Sequence, residues 1–229
     1  MIPRDRPLRI VGDVHGDARA FAHATATDHF IIQLGDLVDH GPNSAGVLKT
    51  MFSLIAAGNG VFLLGNHDLK LARALAGHQV RIDPPLQATL DQLDADLRTR
   101  AQAAIATAPC WLWTDKKFFV HGGFHDRMLA APSPVGITRP DGLLARALYG
   151  QPTGRIQTDG YPERSLAWVE RIPAGLTVYC GHDNRSTDGR PAVRRNNQGG
   201  TAIFLDTGAG KGGHLSWIDL PAGLTFRRD

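Results

Sequence analysis

Polar side chains able to bind metal recur in this chain immediately after short apolar runs. They are Asp13 and His15 in GDVHG (12–16), Asp36 and Asp39 in GDLVDHG (35–41), Asn66 and His67 in GNHD (65–68), His121 in HGG (121–123), His182 in GH (181–182) and Asp206 in DTG (206–208). A turn needs one Asp and one Gly. It does not select His, whereas imidazole is the commonest side-chain metal ligand. Carboxylate, imidazole and one amide oxygen form a mixed hard and borderline donor set. That set suits Mn²⁺, Fe²⁺ or Zn²⁺ better than an all-oxygen Ca²⁺ or Mg²⁺ cage. Six or seven candidate donors exceed what one tetrahedral ion takes, so two ions sharing a carboxylate is the economical assignment. Two ions roughly 3.5–4 Å apart can clamp a phosphoryl group and activate a water between them.

The elements that must position these residues are legible as short β-branched or aromatic runs: LRIVGD (8–13), FIIQLGD (30–36), GVFLLGNH (60–67), KFFVHGG (117–123), LTVYCGH (176–182) and TAIFLDTG (201–208). Each reads as a buried strand. HLSWIDL (214–220) alternates and predicts a further, antiparallel strand. Helical patterns occupy 17–27, with Asp17 as its cap, 43–58, ended by Gly58, and 67–77. Residues 86–107, with Leu at 86, 90, 93 and 97, predict one or two amphipathic helices covering the sheet's rim. Residues 130–163 are rich in Pro and Gly and read as a long loop region around a short helix, DGLLARALYG. Strand–helix alternation followed by strands with little helix between them predicts an α/β sandwich. The polar residues fall at strand C-terminal ends, the edge where α/β sheets bind ligands.

Bulk properties set the frame. With 229 residues and 42% hydrophobic content, one domain spanning 1–229 with a sizeable core is expected. The net charge of +3 suits an anionic substrate without demanding one, and no stable nucleic-acid partner is expected. Two cysteines, Cys110 and Cys180, sit in apolar contexts, so a disulfide framework is not needed and a reducing cytoplasm is the expected compartment. No apolar run approaches the roughly 20 residues of a membrane helix.

GDVHG, GDLVDHG, GNHD, HGG and GH, in that order, resemble the motif set of the phosphoprotein phosphatase superfamily of metallophosphoesterases. The resemblance implies the calcineurin-like fold, a β-sandwich flanked by helices in αββα layers. It also implies two divalent ions, with Mn²⁺ the first choice and Fe²⁺ or Zn²⁺ the alternatives. Asp13, His15 and Asp36 would hold the first ion, and Asp36 would bridge to a second held by Asn66, His121 and His182. His67 would be the general acid, oriented by Asp39. RALYGQPTG (146–154), DGYPERSLAW (159–168), VYCGH (178–182) and LDTGAGKGGHLS (205–216) are similar to the phosphatase module of bacterial polynucleotide kinase-phosphatases, where the Asp matching Asp206 supports the site. GNHDLKLARALAG is also similar to bacterial symmetrical diadenosine tetraphosphatases.

His40 is the departure: relatives usually carry Arg there, whose guanidinium grips phosphate through two parallel hydrogen bonds. Imidazole cannot do this, so weaker phosphate binding is expected, or a replacement among Arg155, Arg164, Arg185 and Arg190. Lys211 in GAGKGG does not fit the spacing of a nucleotide-triphosphatase loop. Trp111, Trp113, Phe124, Tyr149 and Tyr161 are the aromatics available to stack on a base. The first functional reading is a phosphomonoesterase of serine/threonine-phosphatase type, acting on a phosphoprotein or small phosphate ester. The alternative is a hydrolase of dinucleoside polyphosphates or nucleotide ends. A catalytically silent binding module would require a lost ligand or acid, and none is lost.

Overall fold

Gly-terminated apolar runs bring their polar ends to one edge of a two-sheet sandwich. The computed structural model describes residues 2–114, 116–136, 139–158 and 160–226. The first half alternates strand and helix: β1 (Leu8–Val11), α1 (Ala18–Thr25), β2 (Phe30–Gln33), α2 (Ser44–Ala56), β3 (Gly60–Phe62) and α3 (Asn66–Leu75). Then come α4 (Pro84–Gln92), α5 (Ala95–Thr107), β4 (Trp111–Trp113), β5 (Lys117–Val120) and α6 (Gly142–Tyr149). The remainder is mostly strand: β6 (Pro152–Ile156), β7 (Pro162–Arg164), β8 (Thr177–Cys180), β9 (Ala192–Arg195), β10 (Thr201–Phe204) and β11 (Trp217–Leu220).

One sheet runs β11-β1-β2-β3 and the other β4-β5-β8-β10-β9, with β6 and β7 forming a separate hairpin. β1, β2 and β3 are mutually parallel, as are β5, β8 and β10. β11 pairs antiparallel with β1, as its alternation predicts. Leu8, Ile10, Phe30, Ile32, Leu34 and Leu63 meet Phe119, Tyr179 and Leu205 between the sheets. Phe119 and Tyr179 stack there at 5.3 Å. The opposite faces are covered by helices, so the αββα layering holds.

Helix starts follow local chemistry. Asp17, Asn43, Asp83 and Asp94 each accept a backbone N–H from the first turn of the helix that follows. The amphipathic stretch 86–107 divides into α4 and α5 because Leu93 and Asp94 leave helical geometry between them. Three features differ from the sequence reading. β4 and β9 are antiparallel edge strands that do not stand out, β4 because it is only three residues long and β9 because it is polar and exposed, and the Pro/Gly-rich region carries the exposed β6–β7 hairpin. Cys110 and Cys180 are both buried free thiols, Cys110 pushed up to about 12 by burial. Among the described residues, no helix is long and apolar enough to cross a membrane.

Candidate active site

The loops leaving β1, β2, β3, β5 and β8 converge, and three histidines present Nε2 to a common centre. The His15 Nδ1–H donates to the Val38 carbonyl at 3.0 Å, and the His121 Nδ1–H donates to the Leu34 carbonyl at 2.9 Å. A backbone acceptor at Nδ1 fixes the tautomer and leaves Nε2 as the lone-pair atom. His15 Nε2 lies 3.8 Å from Asp13 Oδ2 and 3.6 Å from Asp36 Oδ2. His121 Nε2 lies 3.4 Å from Asp36 Oδ2 and 3.0 Å from the Asn66 side-chain oxygen. Three groups bring their donor atoms within 4.8 Å of one another: His15–His40–His67, without a carboxylate, and two with one or more, Asp13–His15–Asp36 and Asp36–His121–His182. Asp36 belongs to both of the latter.

His15 Nε2 and His182 Nε2 are buried without a hydrogen-bond partner among the described residues. A buried polar atom left unsatisfied costs about 1–3 kcal/mol, so two of them aimed at one centre mark a place built for cations. Charge says the same. Burial, then Asp206 and Asp36, push the Asp13 carboxyl well above its usual range. Burial pulls His15 and His182 well down, keeping them neutral as ligands must be. Asp36 is the exception among the carboxylates. Burial opposes its ionisation, yet the imidazoles of His121, His67 and His15 hold it well below its usual value. His121, despite burial, is pushed up to about 9 by Asp36, Asp13 and Asp68, so without an ion it carries a proton that a bound cation would displace. The residues present fit a pair of divalent ions.

Over this centre stands a dyad. The His67 Nδ1–H donates to Asp39 Oδ2 at 2.7 Å, and its backbone N–H donates to Asp36 Oδ1 at 2.9 Å. Burial lowers the His67 pKa, but Asp36 and Asp39 outweigh it, and the net shift is upward. His40 packs edge-on against His15 and His67, at 4.9 and 5.1 Å between ring centroids. Its burial, with Lys211 and His67 nearby, takes it down to about 4, so it is neutral at pH 7.

The outer candidates separate. Asp206 stays outside both donor groups: its Oδ1 accepts the Gly208 N–H at 2.9 Å, and its charge acts on Asp13. Arg185 is engaged by Asp183 at 2.8 Å and donates to the Arg164 carbonyl. Arg155 pairs with Glu163 on the exposed hairpin. Arg164 is different: its Nε donates to the Tyr149 carbonyl at 3.3 Å, and its charge reaches His182.

Three contributors escaped the sequence reading. Asp68, the last residue of GNHD, is fully buried and accepts the backbone N–H groups of Asp36, Leu37 and Gly65, tying the loops after β2 and β3 together. Its place inside a motif was the available signal. Thr89 on α4 donates to Asp39 Oδ1 at 2.7 Å, so the helical cover also holds the dyad, and nothing in its pattern marks this. Lys211 sits beside Gly210, whose φ of +70° and close approach to the His15 carbonyl leave no room for a Cβ. Its charge thereby acts on His15, His40, His67, Asp13 and Asp206.

Comparison with known proteins follows the same lines. Residues 6–192 match the family model of calcineurin-like phosphoesterases. Proteins named bis(5'-nucleosyl)-tetraphosphatase PrpE [asymmetrical] are similar along almost their whole length. The Anoxybacillus flavithermus protein is 25% identical over 93% of this chain and 89% of its own, and that of Halalkalibacterium halodurans is 26% identical over the same shares. Among solved structures, one ascribed to a diadenosine tetraphosphatase superposes with a TM-score of 0.65 at 20% identity, covering 98% of this chain and 95% of that one. A protein serine/threonine phosphatase from Saccharomyces cerevisiae gives 0.60 at 15% identity, covering 96% and 81%. These two show a shared fold that hosts more than one substrate class. With the family model spanning every loop of the converging centre, the chain belongs to the calcineurin-like phosphoesterases and is a metal-dependent phosphoric ester hydrolase.

Proposed function

We propose that the chain hydrolyses a phosphoanhydride bond of dinucleoside polyphosphates at a two-metal centre, with Mn²⁺ the first choice of ion. The observation that carries the mechanism is buried Asp36, shared by two donor groups beneath the His67–Asp39 dyad. Asp13, His15 and Asp36 would hold one ion, and Asp36, Asn66, His121 and His182 the other. Such a pair, when bound, neutralises phosphate oxygens and lowers the pKa of water. His67, with Nδ1 engaged by Asp39, has Nε2 free to give a proton to the departing oxygen. Asp68 holds the loops in register, and Asp206 adds negative charge behind Asp13. Lys211 on the His15 and His40 side and Arg164 on the His182 side supply the positive charge that an Arg at position 40 would have given.

For the substrate, this reverses the preference reached from the sequence, where a phosphomonoester came first. Support comes from the names of the relatives matched along nearly the full chain. A cationic cavity of about 440 Å³ beside the centre adds to it. Lys70, Arg73, Arg81 and Arg139 line that cavity together with Tyr149, and of these Lys70 is already paired with Asp83. Product analysis of the Mn²⁺-loaded protein on diadenosine tetraphosphate, a phosphothreonine peptide and p-nitrophenyl phosphate tests the reading. The expected result is preferential cleavage of the anhydride to AMP and ATP. A peptide or ester cleaved faster than the anhydride overturns it.

A further inference from the structure

We infer that a second cavity, walled by Tyr149 beside His182, is a nucleoside subsite that takes the base and sugar of the nucleotide whose phosphate is attacked. The inference rests on the nucleotide reading above and names the part of the substrate that this face recognises. The cavity measures about 420 Å³, within the ~300–1,000 Å³ typical of small-molecule sites. Ala145, Arg146, Tyr149, Pro152, Pro162 and Arg164 line it. A tyrosine face, two proline rings and small residues make flat apolar walls suited to a heteroaromatic ring, and guanidinium planes stack on bases as well.

Its placement is fixed by the ligand loop. Tyr149 is the last residue of α6, and the Gly122 N–H, next to His121, donates to the Ala147 carbonyl at 2.5 Å. The Tyr149 ring therefore stands 6.3 Å from the His182 ring, and the field of Asp36 reaches its hydroxyl. Tyr149 is 39% exposed. Trp111 and Phe124, by contrast, are buried in the core, and Tyr149 is the aromatic that lines this cavity. Arg146 donates to the Gln151 side-chain oxygen and Arg164 to the Tyr149 carbonyl, and neither pairs with a carboxylate among the described residues. A base in the cavity would thus lie one sugar away from cations at the phosphate.

Competitive inhibition of p-nitrophenyl phosphate hydrolysis by AMP and by ribose 5-phosphate tests this on the Mn²⁺-loaded protein, because the two differ only in the base. Base–aromatic stacking predicts that AMP binds about 5- to 150-fold more tightly. Tyr149→Ala, and independently Ala145→Leu, which fills the cavity from α6, should each bring that ratio to about 2 or less, with Tyr149→Phe retaining it. Equal inhibition by the two compounds in the unaltered protein, or a ratio unchanged in both Tyr149→Ala and Ala145→Leu, overturns the subsite. If AMP discriminates as expected while diadenosine tetraphosphate is not cleaved, the subsite stands and the anhydride reading fails.

Discussion

Thr89→Val removes one hydroxyl and keeps the side chain's shape, and so isolates what the helical cover does for the dyad. Asp39 is 1% exposed, and its two carboxylate oxygens divide their partners: Oδ2 takes His67 and Oδ1 takes Thr89, both at 2.7 Å. Ser44 Oγ remains 3.1 Å from the Asp39 N–H, so the backbone of the loop keeps a partner in the variant. What is lost is chiefly a charge-assisted hydrogen bond to a buried carboxylate, worth about 1.5–3 kcal/mol, together with the Thr89 Oγ contacts to the Asp39 N–H at 3.2 Å and to Ser44 Oγ at 3.1 Å. At about 2–4 °C per kcal/mol for a chain of this size, Tm should fall by roughly 3–12 °C. The kinetic effect should depend on the leaving group. A carboxylate braced on one side only can rotate, which loosens the direction of the His67 Nε2 proton. Where the leaving oxygen must be protonated, as from an alkyl phosphate, kcat should fall about 10-fold, well inside the ~10²–10⁴ that complete loss of an acid costs. On p-nitrophenyl phosphate, whose phenolate departs without a proton, kcat should change by less than about 3-fold. Thr89→Ser, which keeps the donor, should recover the alkyl phosphate rate. Differential scanning calorimetry and paired kcat measurements check both parts. Equal losses on the two substrates, or Val and Ser variants that behave alike, would refute the view that Thr89 acts through Asp39.

Asp36→Asn should lower kcat/KM by more than about 10³-fold and reduce bound metal by elemental analysis, while His121→Ala should lose one equivalent; full activity in either variant would sink the shared-carboxylate assignment. Because Asp36 and Asp39 raise the His67 pKa, the acid is present below its shifted value and lost as pH rises through it. By NMR titration of the metal-free protein His67 should titrate above 6.5, and Asp39→Asn should move it down by about 1–3 units. In protein stripped of metal, His121, pushed up to about 9, contributes stability that is complete below pH 6.5 and lost between there and about 9. Tm measured with chelator should therefore fall across that window, and Mn²⁺-saturated protein should not show the fall. Lys211→Ala should raise KM for the anhydride about 5- to 10-fold with kcat little changed, and His40→Arg should lower KM on a small phosphomonoester; an unchanged or higher KM in the latter removes the missing Arg as the limit on binding.

The parts legible in the sequence were those governed by local periodicity. β1, β2, β5 and β8 are short apolar runs buried almost throughout, and β3 and β10 are apolar runs partly so, with little polar alternation to hide them. Edge strands lack that signature: β9 reads AVRR and is mostly exposed, so its strand character comes from pairing with β10. The converging donors were legible because each follows a run and carries a residue type that turns do not select. Thr89 and Lys211 were not. Thr89 lies 50 residues from the carboxylate it serves, on a helix whose pattern reports only burial. Lys211 is brought in by the approach of Gly210 to the His15 carbonyl, a close contact made by tertiary structure alone. The arginines named as replacements for the residue missing at position 40 divide for the same reason. Whether a guanidinium is already held, as Arg185 is by Asp183, depends on neighbours that composition cannot show.

Backbone conformation links the residue types to their work. Among the described residues, the non-glycine positions at positive φ are His15, Asp36, Asp39, His40 and His182, between 45° and 71°, all at the centre. At about 1–3 kcal/mol each, five such residues cost at least about 5 kcal/mol, comparable with the whole net stability of a typical domain at ~5–15 kcal/mol. The cost is tolerated because other loops hold the backbone there. Asp68 takes the Asp36 N–H, Ser44 takes that of Asp39, and both Asp13 oxygens take that of His182 at 3.0 Å. Asp and His are also among the few non-glycine residues that populate this region readily. At these positions the demand for a donor atom and the demand for a left-handed backbone select the same residues. An Ala scan would therefore overstate ligand energies, since each replacement removes a donor and also places a less tolerant residue at positive φ. Gly substitutions, which keep the backbone and delete only the donor, are the appropriate reference for assigning ligand roles here.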